Sequence, residues 1–205
     1  MKGLLLKEWY MMLRHAKGYL LVCLVFFTIS IFSEGDTFFE AYPLVLAGMI
    51  PITLISYDER SGWISFGNIL PCSRKQFVSA KYILAIIIAV FMTACTLIVH
   101  IIRIYSAGGG VQLGAGVIAG AAFSLMPPSF VLPAVFKLGS EKGRLAYIVV
   151  IAVVCACIPF LNMTSENYTV YADMSAIGFI ALPLSLLIFA ASWLLSVRFF
   201  EKREL

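Results

Sequence analysis

Residues 57–82 read YDERSGWISFGNILPCSRKQFVSAKY and lie between two apolar runs that carry no charge. Within them Trp63, Phe66, Ile69 and Leu70 recur at spacings of three and four, which sets them on one face of a short helix. Pro71 ends that helix, because it has no amide hydrogen and its ring crowds the preceding turn. Ser73 and Gln76 form a Ser-x-x-Gln capping box that opens the next helix. Asp58 and Glu59 stand at one end of the stretch, and Arg74, Lys75 and Lys81 at the other. A plain connector needs only a few polar residues. This pattern predicts a short amphipathic helix held at the membrane surface, where another protein presses.

The flanking runs set the class. The chain is 61% hydrophobic and 13% charged, with a mean hydropathy of +0.97, against roughly 25% charged in soluble domains. A membrane span takes about 20 apolar residues, with about 17–25 tolerated. Charges divide the chain into six such stretches, at 18–33, 41–57, 82–102, 111–136, 145–161 and 174–197. The first is short, and Lys17 can snorkel to lengthen it. Backbone groups in lipid must satisfy one another, and these lengths suit helices rather than barrel strands. The expectation is an all-α polytopic membrane protein: an interfacial helix over 1–16, then a six-helix transmembrane domain over 17–205.

Basic residues orient it. With both termini in the cytoplasm, all but Arg103 of the 15 Lys and Arg residues fall on the inner side, as the positive-inside rule requires. The net charge of +4 then reads as contact with the inner leaflet rather than with nucleic acid. Cys23, Cys95, Cys155 and Cys157 lie inside spans and Cys72 is cytoplasmic, so the five cysteines read as reduced thiols.

Residues 1–14, MKGLLLKEWYMMLR, are too interrupted by bases for a signal peptide. Leu5, Leu6, Trp9, Tyr10, Met12 and Leu13 make an apolar face, and Lys2, Lys7, Glu8 and Arg14 a polar one. The pattern predicts a helix in the plane of the inner leaflet, with Trp9 and Tyr10 at headgroup depth. It serves either as an anchor alone or as a lever that moves with the first span. Glu34, Asp36 and Glu40 make the first outer loop acidic, and His100 and Arg103 close the third span at the outer boundary. Pro51 predicts a bend in the second span, and Pro127, Pro128 and Pro133 a kink in the fourth. Gly116 and Gly120 allow close helix packing there.

Catalytic patterns are missing. The chain has no Gly-x-x-x-x-Gly-Lys-[Ser/Thr] loop, so ATP hydrolysis belongs to another chain. His15 and His100 fall at opposite faces, no His-Glu-x-x-His or Gly-x-Ser-x-Gly motif occurs, and no acids pair within a span. An enzyme and a proton-coupled carrier are both disfavoured, and no cofactor or metal is expected on this chain.

Three segments resemble the permeases of ABC-2 type transporters, most closely the small ones that include the phenol-soluble modulin exporters. MKGLLLKEWY at 1–10 resembles the family's opening elbow helix. YDERSGW at 57–63 resembles its Asp-Glu…Gly-Trp segment, and LPCSR at 70–74 with Lys81-Tyr82 its Leu-Pro-x-Ser-Arg…Lys-Tyr segment. The resemblance implies an exporter subunit in a bacterial plasma membrane. Two permease chains, identical or sister, would form the path, surrounded by membrane lipid, and two ABC ATPase subunits carrying ATP and Mg would dock beneath. The helix after the second span would be the coupling helix. Its ATPase-coupling residues would be Tyr57, Asp58, Glu59, Arg60, Gly62, Trp63, Phe66, Leu70, Pro71, Ser73 and Arg74, with Asp58 or Glu59 pairing bases on the ATPase or capping the helix. The cargo would be an amphipathic peptide, drug or lipid-like molecule. Two other classes share the size: a six-span substrate-binding subunit of a vitamin importer, and a membrane immunity or sensor protein that moves nothing. Copurification with an ATPase separates the last from the rest, and tight ligand binding by the isolated chain separates the importer.

Overall fold

The computed structural model describes residues 2–32, 38–63, 73–107, 113–145, 147–149, 152 and 174–202. Among these residues the secondary structure is helical, with no strand. The chain opens with α1 (Lys2–His15) and α2 (Lys17–Phe32). The two meet at a bend of 66°, yet the backbone bonds Ala16 N to Met12 O and Leu20 N to Ala16 O carry helical pairing through it. Next come α3 (Phe38–Ala47), α4 (Met49–Arg60), α5 (Arg74–Ala107), α6 (Leu113–Leu138) and α7 (Met174–Lys202).

Four helical rods are long and apolar enough to cross a membrane: Phe39–Arg60, Arg74–Tyr105, Val117–Leu138 and Ile180–Lys202. α2 has 16 residues, about 24 Å at 1.5 Å per residue, short of a hydrocarbon core of about 30 Å. It qualifies only when joined to α1 as one bent span, which gives up to five candidate spans among the described residues. Of the six expected spans, the stretch at 145–161 falls mostly outside those residues.

The second span is interrupted at Gly48, between α3 and α4. Pro51 supplies no amide to the Ala47 carbonyl one turn back, and the turn tightens so that Gly48 N bonds to Val45 O at 3.0 Å. The Tyr147 hydroxyl also donates to the Val45 carbonyl. A side chain at Gly48 has no room: its Cβ would lie 2.5 Å from Pro127 Cβ and 2.9 Å from the Tyr147 hydroxyl. α6, by contrast, runs as one helix through Pro127, Pro128 and Pro133; the prolines expected to kink it do not divide it. Gly120 brings α6 against Thr96 of α5, where an added Cβ would just touch at 3.4 Å.

Two packed clusters fill the bundle. One gathers Ile52, Val78, Leu132, Phe136 and Phe200 from α4 to α7. The other gathers Cys23, Phe27, Leu44, Leu54, Leu84 and Met92 from α2 to α5. The outward faces are apolar too, with Leu21, Leu24 and Val25 on α2 and Leu184, Leu187 and Leu194 on α7 all exposed. That surface suits hydrocarbon, not water. Cys23 and Cys95 are free thiols.

Candidate functional site

α1 places Leu4, Glu8 and Met12 on one buried stripe, as spacing of four on a helix demands. Leu6, Trp9, Tyr10 and Leu13 point away and are exposed. The expected polar face is therefore wrong at Glu8, which is 0% exposed. A charge so buried must be paired, and its partner comes from α5: Lys81 Nζ lies 2.6 Å from Glu8 Oε2.

Lys81 also reaches Asp58 Oδ2 of α4, at 2.5 Å. Lys7 closes the figure, paired with Asp58 Oδ1 and 3.1 Å from Glu8 Oε1. Four side chains of alternating charge thus form a ring, with formal charges that cancel. Lys81, Glu8 and Asp58 are shut from solvent, and the Lys7 side chain keeps 21% exposure. Lys7 Nζ also stands 4.7 Å over the Trp63 ring, a cation–π contact. Asp58 or Glu59 was expected to pair bases on a partner or to cap the helix; within the chain the Asp58 carboxylate is bonded to Lys7 and Lys81.

The other end of the stretch is tied to α7. Arg74 donates to the carbonyls of Phe200 and Glu201, at 3.3 and 3.0 Å, where the last helical carbonyls lack amide partners. Phe77 stacks on Phe200, with ring centroids 5.4 Å apart. Ser73 and Gln76 make the expected reciprocal cap, each side chain reaching the other's amide at 3.3 Å. Glu59 accepts from the Ser140 amide at 2.9 Å, just past the turn at Gly139.

Gly62 explains one more letter of the pattern. Its φ of +68° lies in the left-handed region, open to glycine at little cost, and there it ends α4 and turns the chain toward Trp63. Trp63 is half-buried against the cluster of Leu4, Ile55 and Phe77. Tyr57 packs on His15, with ring centroids 4.1 Å apart, and Arg60 is exposed. Phe66, Leu70 and Pro71 fall outside the described residues, as does the predicted helix that holds them. Among the described residues, no group of three His, Cys, Asp or Glu side chains could hold a metal ion.

A family model described as ABC-2 family transporter protein matches residues 3–201. The chain belongs to the ABC-2 transporter family. No curated protein and no solved structure matches it. It is a membrane-spanning permease component of an ABC transporter.

This ABC-2 permease carries a second polar clasp at the opposite end of the same helices. Arg103 of α5 lies 2.5 Å from Glu40 of α3 and donates to the Ser30 carbonyl and hydroxyl of α2. His100 Nε2 stands 3.4 Å from Glu40 Oε2. On α5, Lys81 and Arg103 are about 33 Å apart along the axis at 1.5 Å per residue. On α3 and α4, Glu40 and Asp58 are about 27 Å apart by the same measure. Both lengths are close to a hydrocarbon core of about 30 Å.

Sequence reasoning missed Glu8, Lys7 and Lys81 as parts of one site. All three lie inside segments that carry the family resemblance, but nothing in their spacing pairs them.

Proposed function

We propose that this permease exports an amphipathic peptide, drug or lipid-like molecule, driven by ABC ATPase subunits that dock on residues 58–70. In this reading two permease chains pair around the path. The end bearing residues 57–82 faces the cytoplasm, as do both termini. ATP and Mg are bound by the ATPase. Trp9 and Tyr10 lie among lipid headgroups, with 41% and 64% exposure. The resemblance to the phenol-soluble modulin exporters favours peptide cargo.

One observation carries the proposal: both stems of the stretch are fastened to other helices. Its entry, Asp58, is ion-paired to α1 and α5, and its exit, Arg74, is bonded to the end of α7. A push on a segment so tethered moves several spans, which a loose connector could not do. Aromatic anchors typically contribute roughly 2 kcal/mol or more each to such docking.

The test replaces Trp63 and Phe66 together by Ala, with Phe66→Ala alone as a control because Trp63 also packs inside the chain. The double variant should insert at normal levels, lose the ATPase in pull-down, and fail to couple hydrolysis to transport. A double variant that keeps the ATPase bound and transport intact refutes the docking role and leaves the stretch as a surface anchor.

A further inference from the structure

We infer that Glu8 and Lys81 are positioning residues through which the amphipathic helix α1 becomes part of the ATP-driven lever. This rests on the proposal that residues 58–70 dock an ATPase.

The two stems of the docking stretch are α4 and the start of α5. They are joined directly, since Lys81 Nζ of one lies 2.5 Å from Asp58 of the other. The stems therefore do not splay independently when the stretch between them is pushed. Glu8 and Lys7 extend the joint to α1, by 2.6 Å to Lys81 and by the pair with Asp58. α1 contributes two further contacts around the same joint: Lys7 over Trp63 and Leu4 in the cluster that receives Trp63 and Phe77. From α1 the backbone bonds of Ala16 and Leu20 lead across the bend into α2. Motion entering at the stretch thus has a continuous route into α2, and its first link is the buried ring. A mere membrane anchor needs no charge on its protein-facing stripe; Glu8 is fully buried there and bonded to the one fully buried lysine among the described residues. Arg14 and Lys17 are exposed and take no part in the joint.

The test uses the full permease with its ATPase in lipid nanodiscs. Spin labels go on exposed Tyr10 of α1 and exposed Lys75 of α5, and their distance distribution is read by pulsed electron resonance. Glu8→Gln and Lys81→Met should broaden the distribution and lower permease-stimulated ATP hydrolysis about tenfold, within the range usual for coupling between sites, while the ATPase stays bound in pull-down. Lys81→Arg keeps the charge and offers donors to both carboxylates; it should restore a narrow distance and most of the stimulation. Should Lys81→Met fail to fold, the charge-balanced pair Lys81→Met with Glu8→Gln takes its place. A narrow distance and unchanged stimulation in Glu8→Gln and in whichever Lys81 variant folds would overturn the inference, with docking untouched. Loss of the ATPase from these variants would overturn it too, by making the ring part of the docking surface. Failure of the docking proposal itself shows separately, as ATPase retention by the Trp63 and Phe66 double variant.

Discussion

Lys81 Nζ stands 2.5 Å from Asp58 Oδ2, and neither side chain keeps more than 1% of its surface exposed. Deleting one member of a buried pair leaves an uncompensated charge, which costs about 3–5 kcal/mol. Lys81→Met should therefore lower the unfolding midpoint of the detergent-solubilised permease clearly. Lys81→Met combined with Glu8→Gln leaves Lys7 and Asp58 as a balanced pair. It should be less destabilised than the sum of the two single variants, because contacting residues do not act additively. Differential scanning fluorimetry on all three variants checks the order. Simple additivity would mean that the ring is not one electrostatic unit.

The class, the position of the break in the second span and the cap at Ser73 were legible because each depends on local chemistry. Pro51 acts within one turn, and Ser73 and Gln76 meet across three residues. The ring was not legible, although all its members stood in view. Lys7 and Asp58 are 51 residues apart, and Glu8 and Lys81 are 73 apart. Helical periodicity sorts residues by face but does not say which neighbour a face meets. Glu8 was assigned to water because charge ordinarily goes there, and only its long-range partner reverses that. The same holds for Arg74, whose acceptors at the end of α7 lie 126 and 127 residues on. Phe66 and Leu70, the intended core of the docking helix, lie outside the described residues, so its form rests on spacing alone.

The far clasp makes a separate prediction. Arg103 is held by Glu40 and by the Ser30 carbonyl and hydroxyl, and hydrogen bonds to charged groups contribute about 1.5–3 kcal/mol. Arg103→Gln should destabilise by about that amount and loosen the end of α2 from α3 and α5. Ser30→Ala removes one acceptor but leaves the carbonyl, and should cost less. Thermal unfolding ranks the two, and hydrogen exchange at the end of α2 should rise in Arg103→Gln alone. Equal exchange in the two variants would show that Arg103 does not hold that end.

Gly48 and Gly62 are needed for different reasons and should fail differently. Ala at Gly48 meets Pro127 and the Tyr147 hydroxyl inside a packed interface, and overpacking of this kind costs about 1–3 kcal/mol. Ala at Gly62 meets no atom within 4 Å but must hold a φ of +68°, at about 1–2 kcal/mol. The two variants should thus lose similar stability. Only Gly62→Ala should also alter the fluorescence of Trp63, the residue that follows the strained turn. A changed Trp63 signal in Gly48→Ala instead would place the strain at the wrong glycine.

The two ion clusters predict where the membrane lies. A charge near a boundary can be hydrated at its rim, and one at the bilayer centre is costly. The ring and the clasp sit about 27–33 Å apart along their helices by the rise of 1.5 Å per residue, so the apolar lengths between them should be immersed. Tyr105, 88% exposed, follows the clasp, while exposed Ser73 and Lys142 sit near the ring. In a background without native cysteines, Tyr105→Cys should react with a membrane-impermeant maleimide added outside sealed cells. Ser73→Cys and Lys142→Cys should react only after the membrane is opened. Labelling at Ser73 from outside would turn the permease over and place its proposed docking stretch where no cytoplasmic ATPase could reach it. Labelling at all three sites in sealed cells would mean that the helices bearing the clusters do not cross the membrane.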